Sequence, residues 1–298
     1  MEQTKRVIAL GFFDGVHIGH GALLRRVGEI ARREGYLPAA LTFDHHPKDF
    51  IPGAGHIPLL NTPADREELM HRLYGIRQVM VLPFDEHTRE MPWWDFVTNL
   101  LVERYQAAHL VAGHDYHFGY QGQGDPERLR QLCGELGVGC DIIGRVELDG
   151  ITVSSTYIRT LIQKGDMERA ARFLGHPHTL SGPVVHGKGL GRTIGIPTSN
   201  LVVPQGVLMP AFGVYATRVW IEGKGYLAVT NVGVRPTVEN TDRVTVEPWI
   251  LDFDGDLYGQ NIRVEFYKQL RPERKFGSID ELKTAILKNA QETRLYFG

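Results

Sequence analysis

GFFDGVHIGH, Gly11 to His20, stands between the apolar run Val7-Ile8-Ala9-Leu10 and the segment HGALLRRVGEIARREG, and its reading decides the fold. A short apolar run that ends in a glycine turn reads as a buried strand, while Leu23, Leu24, Val27 and Ile30 recur at helical spacing. The stretch is therefore a strand-to-helix junction. It carries His17 and His20 on one face of the helix start by their i, i+3 spacing. A helix start presents unpaired N–H groups and the positive end of the helix dipole, so the pair points to an anion site. A metal reading is weaker, because no HExxH or CxxC accompanies the pair and a catalytic zinc usually has three protein ligands. On these residues alone, a purely structural histidine pair stays open.

The same alternation continues to about residue 175. Strand-like YLPAALTF, QVMVLPF, AAHLVAG and CDIIGRVEL alternate with helix-like PADREELMHRLYG, WWDFVTNLLVERY and DPERLRQLCGELG. Alternation of this kind predicts parallel strands with helices on both sheet faces and a ligand site at the carboxyl ends of the strands. GFFDGVHIGH, TFDHHP and VAGHDYHFG each follow such a strand. After VSSTYIR and the helical LIQKGDMERAARFLG, the pattern changes to short runs rich in Val, Ile, Thr, Tyr and Phe, separated by Gly, Pro, Asp and Asn. These predict antiparallel strands in a barrel or sandwich. A final helix starts at Ser278, with Glu281 completing a capping box. The expected architecture is an α/β domain over 1–178 followed by a β domain with a C-terminal helix over 179–298.

The 298 residues carry 33 Lys+Arg against 35 Asp+Glu, a net charge of −2 that argues against bulk nucleic-acid binding. The two cysteines, Cys133 and Cys140, are too few and wrongly spaced for a zinc site or a disulfide framework, which predicts a reducing compartment. No apolar run approaches the ~20 residues of a membrane span, and the N-terminus lacks a signal-peptide pattern. A cytoplasmic protein without membrane partners is expected. The sequence does not fix an oligomeric state.

Further motifs carry chemistry. In VSSTYIR, Ser154, Ser155 and Thr156 place hydroxyls at a helix start, with Arg159 one turn in and able to fork onto phosphate oxygens. GPVVHGKG imitates a P-loop, but Gly189 stands where Ser or Thr should be and the surroundings read as strands. Gly187, Gly189, Gly191 and Gly195 would still let backbone N–H groups approach phosphates. In PTSN, Thr198 and Asn200 are two apart, so an extended chain aims both oxygens to one face, suitable for Mg²⁺. DFDGDLYG opens like an EF-hand but has Leu257 and Arg263 where glycine and glutamate are required, so Asp254-Gly255 is expected to be a hairpin turn. Glu247, alternating with Val246 and Trp249 on a strand, is a candidate general base, with a solvated carboxylate as the alternative.

These motifs carry a resemblance. GFFDGVHIGH fits the GxFDGxHxGH signature of the nucleotidyltransferase superfamily, and SSTYIR is similar to its second phosphate-binding motif. TFDHHP and GHDYHFG resemble the FAD synthetase module of bacterial bifunctional riboflavin kinase/FMN adenylyltransferases, with His45 where that family usually has proline. GRTIGIPTSN, TNVGVRPT, VEPWILDFDGDLYG and LRPERKF are similar, in order and spacing, to the flavokinase domain, with Ser199 for the usual alanine and Pro248-Trp249 for a common Thr-His. The resemblance covers nearly the whole chain.

It implies a Rossmann-like nucleotidyltransferase domain followed by an antiparallel β-barrel riboflavin kinase domain. It further implies that riboflavin is phosphorylated by ATP to FMN, and FMN then adenylylated to FAD with release of pyrophosphate. His17, His20 and Arg159 would act on the phosphates in the first domain and Glu247 as base in the second. Gly11, Phe12, Asp14, Gly15, Ser155 and Thr156 would bind ATP or its phosphates in the first site. Gly187, Lys188, Gly189, Gly191 and Arg192 would do so in the second. Asp115, Arg271 and Glu273 would contact flavin, and Thr198 and Asn200 would hold Mg²⁺. The alternative is a single-function nucleotidyltransferase with a flavin-binding regulatory barrel.

Overall fold

The computed structural model describes residues 4–50, 55–186, 195–235 and 243–298, in two compact units, Met1–Ser155 and Thr156–Gly298. In the first unit the chain runs β1 (Arg6–Leu10), α1 (Ile18–Glu34), β2 (Leu37–Phe43), α2 (Pro63–Tyr74), β3 (Gln78–Leu82) and α3 (Glu86–Glu90). The one-turn α4 (Trp93–Asp95) then widens into a π-helix over Phe96–Arg104, followed by β4 (Ala107–Gly113), α5 (Pro126–Leu136) and β5 (Gly139–Ile143). A small antiparallel pair, β6 (Glu147–Leu148) and β7 (Ile151–Thr152), completes it. The five main strands form a parallel sheet in the order β3-β2-β1-β4-β5.

The apolar runs are continuous because both sheet faces are covered. Along β1, Ile8 and Leu10 enter one core with Leu41, Phe96 and Leu110, while Val7 and Ala9 enter the other with Val27, Ile30 and Met70. Each such fully buried aliphatic side chain stabilises the fold by roughly 1.5–3 kcal/mol relative to exposure. The strand order reverses between β1 and β4, so the crevice at their carboxyl ends is the topological switch point, where open α/β sheets bind ligands.

α6 (Ser155–Gln163) starts at the last residue of the first unit, and the second unit runs from Thr156 through the rest of that helix and α7 (Met167–Leu174). It continues through β8 (His178–Val185), β9 (Asn200–Leu201), β10 (Gly213–Ile221), β11 (Lys224–Arg235), β12 (Arg243–Ile250), β13 (Asn261–Pro272) and α8 (Ile279–Phe297). Six strands close a barrel in the order β10-β11-β12-β9-β8-β13. Closure resolves the choice between barrel and sandwich, and it removes exposed strand edges. The run SNLVV contributes only the two-residue β9.

Asp254-Gly255 is not a hairpin turn. β12 pairs with β11 and β9, and β13 with β10 and β8, so the connection between β12 and β13 crosses the barrel instead of folding back. The left-handed non-glycine residue in that connection is Asp252, φ 55°, whose carboxylate takes two hydrogen bonds from Arg294 of α8 at 2.6 and 2.9 Å. The expected cap of α8 is present: Ser278 Oγ accepts from the Glu281 N–H at 3.2 Å. The Glu281 carboxylate reaches back to the N–H of Gly277 at 3.0 Å.

Candidate active sites

The turn after β1 is held in a conformation the chain would not adopt alone. Phe13 and Val16 have φ of 57° and 42°, in the left-handed region that costs a β-branched or bulky residue roughly 1–3 kcal/mol, and Gly15 lies beside them at 82°. Phe13 and Val16 are fully buried, and Val16 N–H donates to the Phe13 carbonyl at 2.9 Å. Buried Asp14 accepts from the N–H of Leu60 at 2.8 Å, and Gly15 N–H reaches Asn61 Oδ1 at 3.4 Å. Ser155 Oγ donates to the Asp14 carbonyl at 2.9 Å, and Thr42 Oγ1 to that of Phe12 at 2.8 Å. Strain held from several sides at a switch point is a mark of a functional turn.

His17 caps α1 with its ring: Nδ1 accepts the backbone N–H of His20 at 3.2 Å. Because Nδ1 accepts, the ring proton sits on Nε2, and His17 is a neutral donor through that atom. The His20 ring stacks on it at 3.5 Å with an interplanar angle of 11°. Burial first, then the neighbouring His17 and Arg66, hold the His20 pKa well below the usual 6.5, so it too is neutral at pH 7. Its Nδ1 is buried without a hydrogen-bond partner. Gly19 makes room for this pair, since a Cβ there would lie 3.1 Å from the His17 ring. Gly19→Ala is therefore expected to tilt the ring and lower transfer at this site by about 10-fold or more, leaving the barrel's activity unchanged in the same preparation.

The structure brings Gly11, Phe12, Asp14, Gly15, His17, His20 and Ser155 together around one turn. Ser155, the last residue of the first unit, is spent on the Asp14 carbonyl of the turn. Thr156 and Arg159 follow on α6, one residue and one turn further along. Asp115 lies in the loop after β4, the other strand of the switch point, with its carboxylate exposed and 3.9 Å from His114 Nδ1. His45, also exposed, turns back onto Asp44 at 3.0 Å. Sequence reading missed Arg66, which bonds to Phe12, Thr42 and Phe43 beside this turn. The available signal was a charge at i, i+3, i+4 spacing with Leu69 and Met70, on the buried face of α2.

In the barrel, Thr198, Asn200, Glu247, Arg271 and Glu273 all line one cavity of about 360 Å³. The alternation expected of PTSN holds, with Thr198 and Asn200 on the same side. β9 pairs Leu201 with Val246, and Ser199 N–H donates to the Pro248 carbonyl at 2.9 Å, which sets PTSN beside Glu247. Pro248 thus contributes an acceptor that anchors the neighbouring segment. Glu247 stands opposite Asn231 of β11, another lining residue. Glu273 packs on the backbone of Gly233, where a Cβ would fall 2.6 Å from its Oε1.

Arg271 donates from Nε to Asn289 Oδ1 of α8 at 3.0 Å, and Phe276 lies between Arg271 and Arg274 at 5.2 and 4.6 Å from the two guanidinium carbons. Burial, and then Arg274, lower the Arg271 pKa. Trp249, Arg274 and Phe276 also line the cavity; Arg274 and Phe276 escaped the sequence reading, because they follow the end of β13, where no strand period marks which side chains turn inward. Gly187, Lys188, Gly189, Gly191 and Arg192 lie outside the described residues. The oxygen donors of Thr198 and Asn200 are the hard ligands a magnesium ion takes, so the pair fits that metal. Among the described residues no cluster of three or more His, Cys, Asp or Glu suits a metal.

Comparisons with known proteins match the two parts of the chain to different families. The FAD synthetase family model matches residues 1–157, and the riboflavin kinase model matches 174–297. A bifunctional riboflavin kinase/FMN adenylyltransferase of Listeria monocytogenes is 36% identical over 98% of this chain and 93% of its own. Its namesake in Bacillus subtilis is 34% identical over 100% and 94%. A solved structure from Streptococcus pneumoniae, described as a macrolide-efflux protein, superposes with a TM-score of 0.87 at 32% identity over 99% of this chain and 95% of that one. Among the described residues no helix is long and apolar enough to cross a membrane. With both family models matched in order and relatives aligned over nearly its whole length, the chain belongs to the bifunctional riboflavin kinase/FMN adenylyltransferase family.

Proposed function

We propose that the two sites divide the synthesis of flavin cofactors, the barrel making FMN and the α/β unit making FAD. The enzyme transfers the γ-phosphoryl group of ATP to the ribityl hydroxyl of riboflavin, and then joins FMN to the AMP portion of a second ATP with release of pyrophosphate. The single observation carrying the assignment of residues is the convergence of Thr198, Asn200 and Glu247 on one cavity. A barrel that only bound flavin would have no use for a metal-suited oxygen pair beside a carboxylate, which disfavours the single-function alternative.

In the barrel, Glu247 accepts the proton of the attacking hydroxyl, and Arg271 and Glu273 border the flavin. Thr198 and Asn200 would hold Mg²⁺, which neutralises charge on the ATP phosphates. In the α/β unit, His17 and His20 donate to the triphosphate as charge builds at the transferred phosphorus. Ser155 supports the turn through the Asp14 carbonyl, the SSTYIR motif assigns phosphate contacts to Thr156 and Arg159, and Asp115 meets the flavin end of FMN. The FMN phosphate is already ionised, so this half-reaction needs no base. Because both transfers consume ATP, a cytoplasmic location belongs to the same proposal.

Incubation with riboflavin and Mg·ATP, with chromatographic separation of FMN from FAD, tests the reading; formation of neither product would sink it. We place the boundary of the kinase module at 178/179. α7 packs on β8 and β13, burying Met167, Ala170, Phe173 and Leu174. A fragment from Pro177 is therefore expected to make FMN, yet to be at least about 3 kcal/mol less stable to urea than one from Thr156, the cost of one lost buried aromatic. A folded Pro177 fragment without kinase activity would move the boundary towards α6.

A further inference from the structure

A fully buried arginine lies beside the histidine pair and is less than half satisfied. Arg66 of α2 has no exposed surface. Its Nη1 donates to the carbonyls of Phe12 and Phe43 at 2.8 and 3.1 Å and to Thr42 Oγ1 at 2.9 Å, and its guanidinium lies 4.3 Å over the Phe12 ring. Nε and Nη2 are buried and meet no acceptor. An incompletely paired buried charge is destabilising, and an apolar side chain of similar volume would serve packing better. Burial pushes the pKa down to about 10, with Asp14 acting against it, so the group stays charged at neutral pH. A costly charge at this place is explained if the site must receive a polyanion.

We propose that Arg66 is a positioning residue of the adenylyl-transfer site: it pins the GFFDGVHIGH turn to the ends of β1 and β2 and lends the phosphate crevice a fixed positive charge. The inference rests on the reading of that turn as the ATP-phosphate site. Phe43 ends β2 and Phe12 lies two residues beyond the end of the adjacent β1, so one guanidinium nitrogen joins both to the strained turn that begins at Phe13. The charge also acts on His20, whose pKa is lowered by burial, then by the stacked His17, then by Arg66. Asp14 in the turn balances Arg66, and Tyr74 of α2, beside Gly21, is kept neutral by burial. Removing Arg66 removes a repulsion, so His20 would take up a proton at higher pH.

The test compares Arg66→Met and Arg66→Lys with the wild type in the full chain, following FAD formation from FMN and Mg·ATP across pH and riboflavin phosphorylation as the internal control. Arg66→Met should lower kcat/KM for FAD formation on the order of 10²-fold, as expected when a catalytic turn is misplaced by about 1 Å. It should also shift the acid limb of that profile to higher pH and leave FMN formation unchanged. Lysine keeps the charge but cannot fork onto several acceptors, so Arg66→Lys should keep the wild-type acid limb with an intermediate rate. Undiminished FAD formation in Arg66→Met, or a loss with an unmoved acid limb, would overturn the proposal by reducing Arg66 to packing. Should Arg66→Met not fold, an Arg66→Lys enzyme with a wild-type rate, or with a shifted acid limb, overturns it alone. Wild-type enzyme that makes FMN but no FAD would instead remove the underlying reading of the site.

Discussion

Glu247→Gln is expected to slow FMN formation by about 10²–10⁴-fold, the usual contribution of a positioned base. The substitution keeps size and hydrogen-bonding shape but removes the ability to accept a proton. The ribityl hydroxyl is a poor nucleophile until that proton has somewhere to go, and Glu247 lines the cavity with Thr198 and Asn200. Binding of riboflavin and Mg·ATP should persist, so the loss should appear in kcat more than in KM. FAD formation from supplied FMN should proceed at the wild-type rate, because that transfer uses a phosphate nucleophile already ionised at neutral pH. Steady-state assays of each half-reaction check the split. Near-normal kinase turnover would take the base role away from Glu247 and direct attention to Glu273, the other carboxylate lining the cavity.

His20→Ala should reverse the pattern, lowering FAD formation by about 10²-fold or more while riboflavin phosphorylation stays nearly unchanged. The His20 ring stacks on His17 and meets the Phe13 ring edge-on at 5.2 Å, so its loss removes one donor and loosens another. Since the His20 pKa is held well below 6.5, the ring is neutral from pH 6.5 upwards, and the deficit should not vary with pH there. It should narrow only in more acidic solution, where the wild-type ring takes up its proton. Parallel thermal melts separate this from instability: equal loss of both activities with a lowered melting temperature would indicate a folding role, and retention of both would make the pair structural.

Much of this site was legible in the chain itself. A glycine-rich turn after Val7-Ile8-Ala9-Leu10 and a helical stripe after His20 already place two histidines at a strand-helix junction. The spacing of Thr198 and Asn200 predicts their shared face, and the structure sets both in one cavity with Glu247. Arg66 was hidden for a definite reason. Its partners, Phe12, Thr42 and Phe43, are 54, 24 and 23 residues away, and a short-range pattern cannot report which distant carbonyls a buried charge will meet. The hairpin assigned to Asp254-Gly255 failed for a related reason. An Asp-Gly turn signal describes local backbone preference, whereas the partners of β12 and β13 are chosen by closure of the barrel.

The sequence by itself determined the class of each half, the order of the motifs and the chemistry they imply, because periodicity, turn residues and motif spacing are local properties written in consecutive residues. Tertiary structure alone decided that five strands order themselves with the switch point between β1 and β4, that six others close into a barrel, and that the Ser155 hydroxyl meets the Asp14 carbonyl. It alone decided that His17 caps its helix through Nδ1, which sets the donor on Nε2, and that an arginine is buried beside that pair. Such features depend on contacts between residues far apart in the chain, whose energies exist only once the fold has brought them within a few ångströms.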